Sequence, residues 1–174
     1  KIYLATLDAF VVALDARTGD VVWEKPVEDY KLGYYMTLAP LVAEGNVLVG
    51  VSGGELGIRG FVQALDAVTG ETIWKTFTVP GPGEPGHETW TEDAWRTGGA
   101  PVWITGSYDP ALGLTYWGTG NAAPWVGDAR PGDPPDPRGP ARESIASRVG
   151  TTAAVRRARS DRGAAAAGSR RRDH

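Results

Sequence analysis

ALDARTGDVVW, residues 13–23, returns 51 residues later as ALDAVTGETIW, residues 64–74, with Ala, Leu, Asp, Ala, Thr, Gly and Trp in the same places. A repeat of this kind marks a chain built from stacked copies of one supersecondary unit, so it takes precedence over any local reading. Each copy has its own physical logic. An apolar strand (VVALD or FVQALD) runs into an Asp and a Thr that bond local backbone and a Gly that supplies positive φ; a second strand then ends in Trp. Each copy therefore reads as a β-hairpin.

Outward from the hairpins, a further apolar or alternating strand precedes each: KIYLATLD before the first, NVLVGVS before the second, and LTYWGTG (114–120) where a third unit is due. Units of about four strands recurring at roughly 40 to 50 residues predict an all-β fold, a partial β-propeller of about three blades. A sandwich of meandering hairpins is the plainer alternative, disfavoured by the repeat. No stretch carries the sustained 3.6-residue periodicity of a long amphipathic helix.

The two full units differ at one place. Phe10 and Phe61 are equivalent by the repeat, but the first unit reaches its Phe directly from ATLDA, whereas the second inserts SGGELGIRG. GVSGGELGIRGF (50–61) is thus an enlarged glycine-rich loop at one end of a blade. Its glycines permit close backbone approach to a flat ligand, Ser52 adds a hydroxyl, and Glu55 is its only acid. No helix pattern follows, which argues against a dinucleotide fingerprint. The stretch TVPGPGEPGHETWTEDAWRTGGAPVW (78–103) is too rich in Gly and Pro to be regular, and ordered loops of this length are often functional.

Single residues in these stretches remain open on their own terms. Glu55 reads as a functional carboxylate or an ordinary loop acid; Asn121 reads as a turn cap after Gly with a side-chain carbonyl to offer, Trp103 as core or blade packing, and Thr37 as an ordinary strand residue. Arg59 reads as a support for its own loop and His87 as a satisfied loop residue.

The 174 residues suit one globular domain, with nothing approaching the roughly 18 consecutive apolar residues of a membrane span. Lys1 opens directly on a strand pattern with no signal peptide in view, so the start is expected to be a cut through a longer protein. The absence of Cys excludes disulfides and thiolate metal sites, and seven Trp point to repeated large core or platform positions. Residues 1–133 carry 8 Lys+Arg against 17 Asp+Glu, and residues 134–174 carry 10 against 4, which sets a boundary near Gly132–Pro135. Residues 134–174 hold no aromatic and no strand alternation, and read as a disordered tail or an out-of-frame translation. Without aromatics among its arginines the tail argues against nucleic-acid binding.

Residues 1 to about 133 resemble the quinoprotein alcohol dehydrogenases of the methanol and ethanol type, which use pyrroloquinoline quinone (PQQ). The resemblance rests on the two ALDxxTGxxxW repeats together with DYKLGYYMTLAP, GVSGGELGIRGF, TVPGPGEPGHETW, GGAPVW, TGSYDP and YWGTGNAAPW. It implies an eight-bladed propeller in which this chain supplies about three neighbouring blades, with PQQ and a divalent cation, calcium or a lanthanide, near the axis. It implies Glu55 and Asn121 as cation ligands, Trp103 under the quinone ring system, Thr37 on the cofactor's carboxylate edge, and Ser52, Gly53 and Gly54 along the cofactor. Pro101 stands where some relatives have a Thr.

The same resemblance implies oxidation of a small primary alcohol, a cytochrome c-type electron acceptor and a periplasmic location. In the family the cation polarises the carbonyl that accepts hydride while an Asp takes the hydroxyl proton. That Asp belongs to an HDxWD-like segment absent from this sequence, so it is expected downstream, and the family's paired cysteines and an upstream Arg and Glu are expected before residue 1. The fragment alone is therefore expected to lack a general base. The competing class is a non-catalytic periplasmic propeller of the outer-membrane assembly lipoprotein type, which carries similar repeats but has no need of the SGGE loop, GTGN or the Trp of GGAPVW.

Overall fold

In a computed structural model the described residues are 1–124 and 156–157, and they form three antiparallel sheets in tandem with no α-helix among them. The first sheet has the order β1 (Ile2–Ala5), β2 (Phe10–Leu14), β3 (Val21–Pro26). The second is β4 (Leu41–Ala43), β5 (Asn46–Gly50), β6 (Phe61–Asp66), β7 (Thr72–Phe77), and the third sets β8 (Ser107–Asp109) and β9 (Leu114–Tyr116) beside β10 (Arg156–Arg157). The expected boundary near Gly132–Pro135 and the expected tail 134–174 lie outside the described residues, apart from β10.

Sequence repetition becomes repetition of register. Ala13 pairs with Trp23 and Ala64 with Trp74, and in both hairpins the register slips immediately afterwards, between Ala13 and Leu14 and between Ala64 and Leu65. A bulge at the same place in both copies tightens the local twist where the chain enters its turn. In the first turn Asp15 Oδ1 accepts from the amides of Arg17 and Thr18 at 2.8 and 3.2 Å; in the second Asp66 Oδ1 accepts from Val68 and Thr69 at 2.8 and 2.9 Å. Gly19 and Gly70 close the two turns at φ 82° and 76°. Because Asp66 is buried, its replacement by Ala strands two amide donors and is expected to cost about 1–3 kcal/mol in equilibrium unfolding, whereas a neutral result would remove the turn from the stabilising features.

The repeated pattern of the hairpin also joins one unit to the next. The Trp23 indole lies on Gly70 of the second turn, where an added Cβ would stand 2.8 Å from the ring, and Trp23 Nε1 and the Tyr3 hydroxyl donate to the Ala67 carbonyl at 3.4 and 2.8 Å. Lys25 meets Glu71 at 2.7 Å, and Lys75 reaches Glu28 at 3.0 Å and the Val27 carbonyl at 3.1 Å. The Trp that ends one hairpin thus needs a side-chain-free residue in the next, and the Thr-Gly of the repeat provides it.

Two apolar clusters occupy the gaps between sheets. Ala9, Val11, Ala13 and Trp23 pack against Val47, Val49, Phe61 and Leu65; on the other side Leu48, Val62 and Ala64 pack against Val102 and Trp117. Neighbours along β5 and β6 point to opposite faces, so both strands are buried throughout, as strands covered on two sides must be. The second sheet is therefore the rigid centre, and the enlarged loop grows from it between β5 and β6.

Candidate functional site

The loop leaves β5 at Gly50, where any Cβ would fall 2.3 Å from the Val102 carbonyl oxygen. It then makes a short 3-10 turn at Gly54–Leu56, entered through Gly53 at φ 106°. A Cβ on Gly53 would lie 2.0 Å from the Gly33 carbonyl oxygen and one on Gly54 would lie 2.7 Å from the Pro101 ring, so the loop is pressed against two other segments by residues that have no side chain.

The first of these segments carries Tyr35 and Thr37. The Ser52 amide donates to the Tyr35 carbonyl at 2.7 Å, and the Thr37 and Ser52 hydroxyls lie 3.0 Å apart. Thr37 also donates to the Trp103 carbonyl at 3.1 Å. Met36 and Leu38 between and after them are buried, so alternation along extended backbone turns Tyr35 and Thr37 the other way, to the cleft.

The second segment, residues 98–101, is stitched on both sides. Gly60 donates to Gly99 and Gly99 to Ile58, each at 2.8 Å; Ala100 donates to Asn121 at 2.8 Å, Gly120 to Pro101 at 2.7 Å and Ala123 to Gly98 at 2.9 Å. The loop that bears Glu55 and the one that bears Asn121 are in this way attached to opposite edges of a single backbone segment, with Gly99 at φ 70° bridging to Arg59 and Ala122.

The result is a cleft of about 300 Å³ lined by Tyr35, Thr37, Ser52, Gly53, Gly54, Glu55, Pro101, Trp103, Gly120, Asn121 and Ala122. All seven residues singled out in the sequence, Thr37, Ser52, Gly53, Gly54, Glu55, Trp103 and Asn121, are brought to it. Trp103 is 51% exposed and so presents its indole to solvent rather than to a blade interior. Glu55 is the one carboxylate of the lining. The Tyr35 hydroxyl donates to its Oε1 at 2.6 Å, which holds the Glu55 carboxyl below its usual range and raises the Tyr35 phenol. Among the described residues no three His, Cys, Asp or Glu side chains gather as a metal cluster, so an ion at Glu55 and Asn121 needs further oxygen donors.

Arg59 and His87 stand outside the lining. The Arg59 guanidinium lies 3.8 Å from the centre of the Phe77 ring and 4.7 Å from that of Trp95, donates through Nε to the Val79 carbonyl at 2.9 Å and pairs with Glu84 at 3.2 Å. Burial lowers its pKa, opposed by the Glu84 charge. Arg59 thereby pins the loop of residues 78–98 to the blade, and His87, edge-on to Trp95 and 3.3 Å from the Pro80 carbonyl, belongs to the same packing. Tyr35, Gly120 and Ala122 are the lining residues that sequence reasoning missed, and Tyr35 is the one of them with a polar side chain. The available signal was its place two residues before Thr37 on the same face of an extended segment.

Sheets of this register, packed face to face with a Trp of one hairpin on a Gly of the next and a polar cleft at one end, define a β-propeller blade array. The family model of the PQQ glucose/ethanol/alcohol dehydrogenase β-propeller domain matches residues 1–134, and the chain belongs to that family. It is 43% identical over 149 residues to the quinoprotein alcohol dehydrogenase PedH of Pseudomonas putida, covering 76% of this chain and 25% of that protein. It is 42% identical over 151 residues to methanol dehydrogenase [cytochrome c] subunit 1 of Paracoccus denitrificans, covering 76% and 24%. Among solved structures a europium-containing methanol dehydrogenase superposes with a TM-score of 0.69 at 40% identity, over 75% of this chain and 26% of that one. The chain thus spans about a quarter of the length of these relatives.

Proposed function

We propose that the cleft is one wall of a PQQ and cation site in a quinoprotein that oxidises primary alcohols to aldehydes. The observation that carries this reading is the convergence of residues from four separate segments, around Thr37, Gly53, Trp103 and Asn121, on one cleft that offers a carboxylate, an amide, two aliphatic hydroxyls, a phenol and an exposed indole. The donor set suits the group. Glycines at 53 and 54 let the loop that carries Glu55 close against Gly33 and Pro101, and the exposed Trp103 indole is a platform for offset stacking.

In this reading Glu55 and Asn121 supply oxygen ligands to a hard cation, calcium or a lanthanide, and Thr37 and Ser52 hydrogen-bond the cofactor edge. When bound, PQQ with its cation supplies the hydride acceptor. This chain's residues bind and orient that acceptor and keep its carboxylate partner ionised; the cleft lining has no second carboxylate to take the alcohol's proton. We place that base, the remaining ligands and the opposite wall in other parts of the quinoprotein, consistent with the share of its relatives' length that the chain spans. The periplasm, a small alcohol and a cytochrome c-type acceptor complete the proposal, the last in keeping with the name of the Paracoccus relative. Residues 1–133 are the propeller part of this reading. Among the described residues no helix is long and apolar enough to cross a membrane.

Trp103→Ala tests the stacking role. Equilibrium dialysis of the chain against PQQ is expected to show binding weakened by about 5- to 10-fold, the worth of an aromatic stacking contact, with thermal stability little changed because the ring is exposed. Unaltered PQQ binding would remove Trp103 from the site.

A further inference from the structure

We propose that Tyr35 is a positioning residue of the cation site: its phenol fixes the Glu55 carboxylate in the orientation from which it ligates. The inference rests on the PQQ and cation reading above and adds a residue to it.

Glu55 projects from the rim of the cleft and is exposed, so neither packing nor a buried neighbour holds its side chain. Besides its own backbone amide, the contact that restrains it comes from Tyr35, whose hydroxyl donates to Oε1 at 2.6 Å, the short distance of a hydrogen bond to an ionised acceptor. Tyr35 is itself firmly placed. Its carbonyl accepts from the Ser52 amide at 2.7 Å as part of an antiparallel bridge between Tyr35 and Ser52, and the next residue, Met36, is 1% exposed in the core. The Gly53 carbonyl accepts from Leu56 at 2.8 Å and closes the 3-10 turn that carries Glu55. The phenol and the carboxylate are thus joined through backbone as well as through the hydroxyl, in a loop whose shape Gly53 and Gly54 impose. Outer partners of ligating side chains commonly govern cation affinity by 10- to 100-fold, because they keep the ligand from swinging away.

Tyr35→Phe removes the hydroxyl and keeps the ring and the backbone bridge. The whole quinoprotein that contains this chain is titrated with calcium and with terbium(III) in the presence of PQQ, with binding read from terbium luminescence and its displacement by calcium. The expected result is cation binding about 10-fold weaker in Tyr35→Phe, together with an unchanged thermal midpoint and unchanged PQQ binding in the presence of a chelator. Cation affinity within twofold of the parent, while Glu55→Gln loses binding, overturns the role of Tyr35 and leaves the site standing. Unchanged affinity in Glu55→Gln overturns the site and the Tyr35 proposal with it. A Tyr35→Phe chain that loses PQQ binding in chelator as severely as cation binding also overturns it, since the hydroxyl would then act on the cleft as a whole.

Discussion

Truncation of Phe61 to Ala is expected to lower the unfolding free energy by about 3–5 kcal/mol, the cost of emptying a fully buried aromatic site. The ring is fully buried on the central sheet. Its centre lies 6.0 Å from those of Tyr34 and Phe77, and the Lys75 ammonium sits 3.9 Å over its face. Removing it opens a cavity between sheets that the strands cannot close, because β5 and β6 are packed on both faces. Phe10 is a built-in comparison. It holds the same place in the repeat but lies on the first sheet and is partly exposed, so Phe10→Ala is expected to cost less than about 2 kcal/mol. Urea denaturation of both variants decides the matter, and equal losses would show that two-sided burial of the second sheet does not set the cost.

The second large effect concerns binding. Glu55→Gln keeps the shape of the side chain and an oxygen able to accept from Tyr35, but removes the only negative charge of the cleft lining. Affinity of hard cations depends steeply on the charge of their ligands, so binding is expected to fall by about 100-fold or more. Folding is expected to change by no more than about 0.5 kcal/mol, since the side chain is exposed. Calorimetric titration with calcium in the presence of PQQ measures the first quantity and denaturation the second. Retained cation affinity would assign Glu55 to the rim rather than to the ion.

Both predictions start from features legible in sequence. The repeated ALDxxTGxxxW announced two hairpins, and the structure adds that its Trp and Gly are complementary halves of one contact, Trp23 on Gly70. The insertion between Gly50 and Phe61 was visible because the first unit lacks it, and it does form a wall of the cleft. What escaped was long-range. Tyr35 matters because of a loop 20 residues away, and Arg59, read in sequence as a support for its own loop, braces the loop of residues 78–98 through Phe77, Val79, Glu84 and Trp95. No local pattern of charge or periodicity encodes such meetings. The first unit also shows three strands rather than four, with the sheet beginning at Ile2. Trp103, which at a strand start would be packed inward, is exposed because Thr37 and Gly50 fix the backbone on either side of it and leave its ring outside the core.

The segment of residues 98–101 has one more consequence. It hydrogen-bonds to the Glu55 loop along one edge and to the Asn121 loop along the other, so the interval between the two loops is gauged by main chain and is indifferent to rotamers. A change of side chain in the cleft retunes chemistry at fixed calibre. A change of calibre requires the second and third sheets to shift against each other across Leu48, Val102 and Trp117, with Val102 standing between the lining residues Pro101 and Trp103. In the proposed reading, fitting an ion of different size is therefore expected to need changes in the hydrophobic seam between these blades as well as in the cleft.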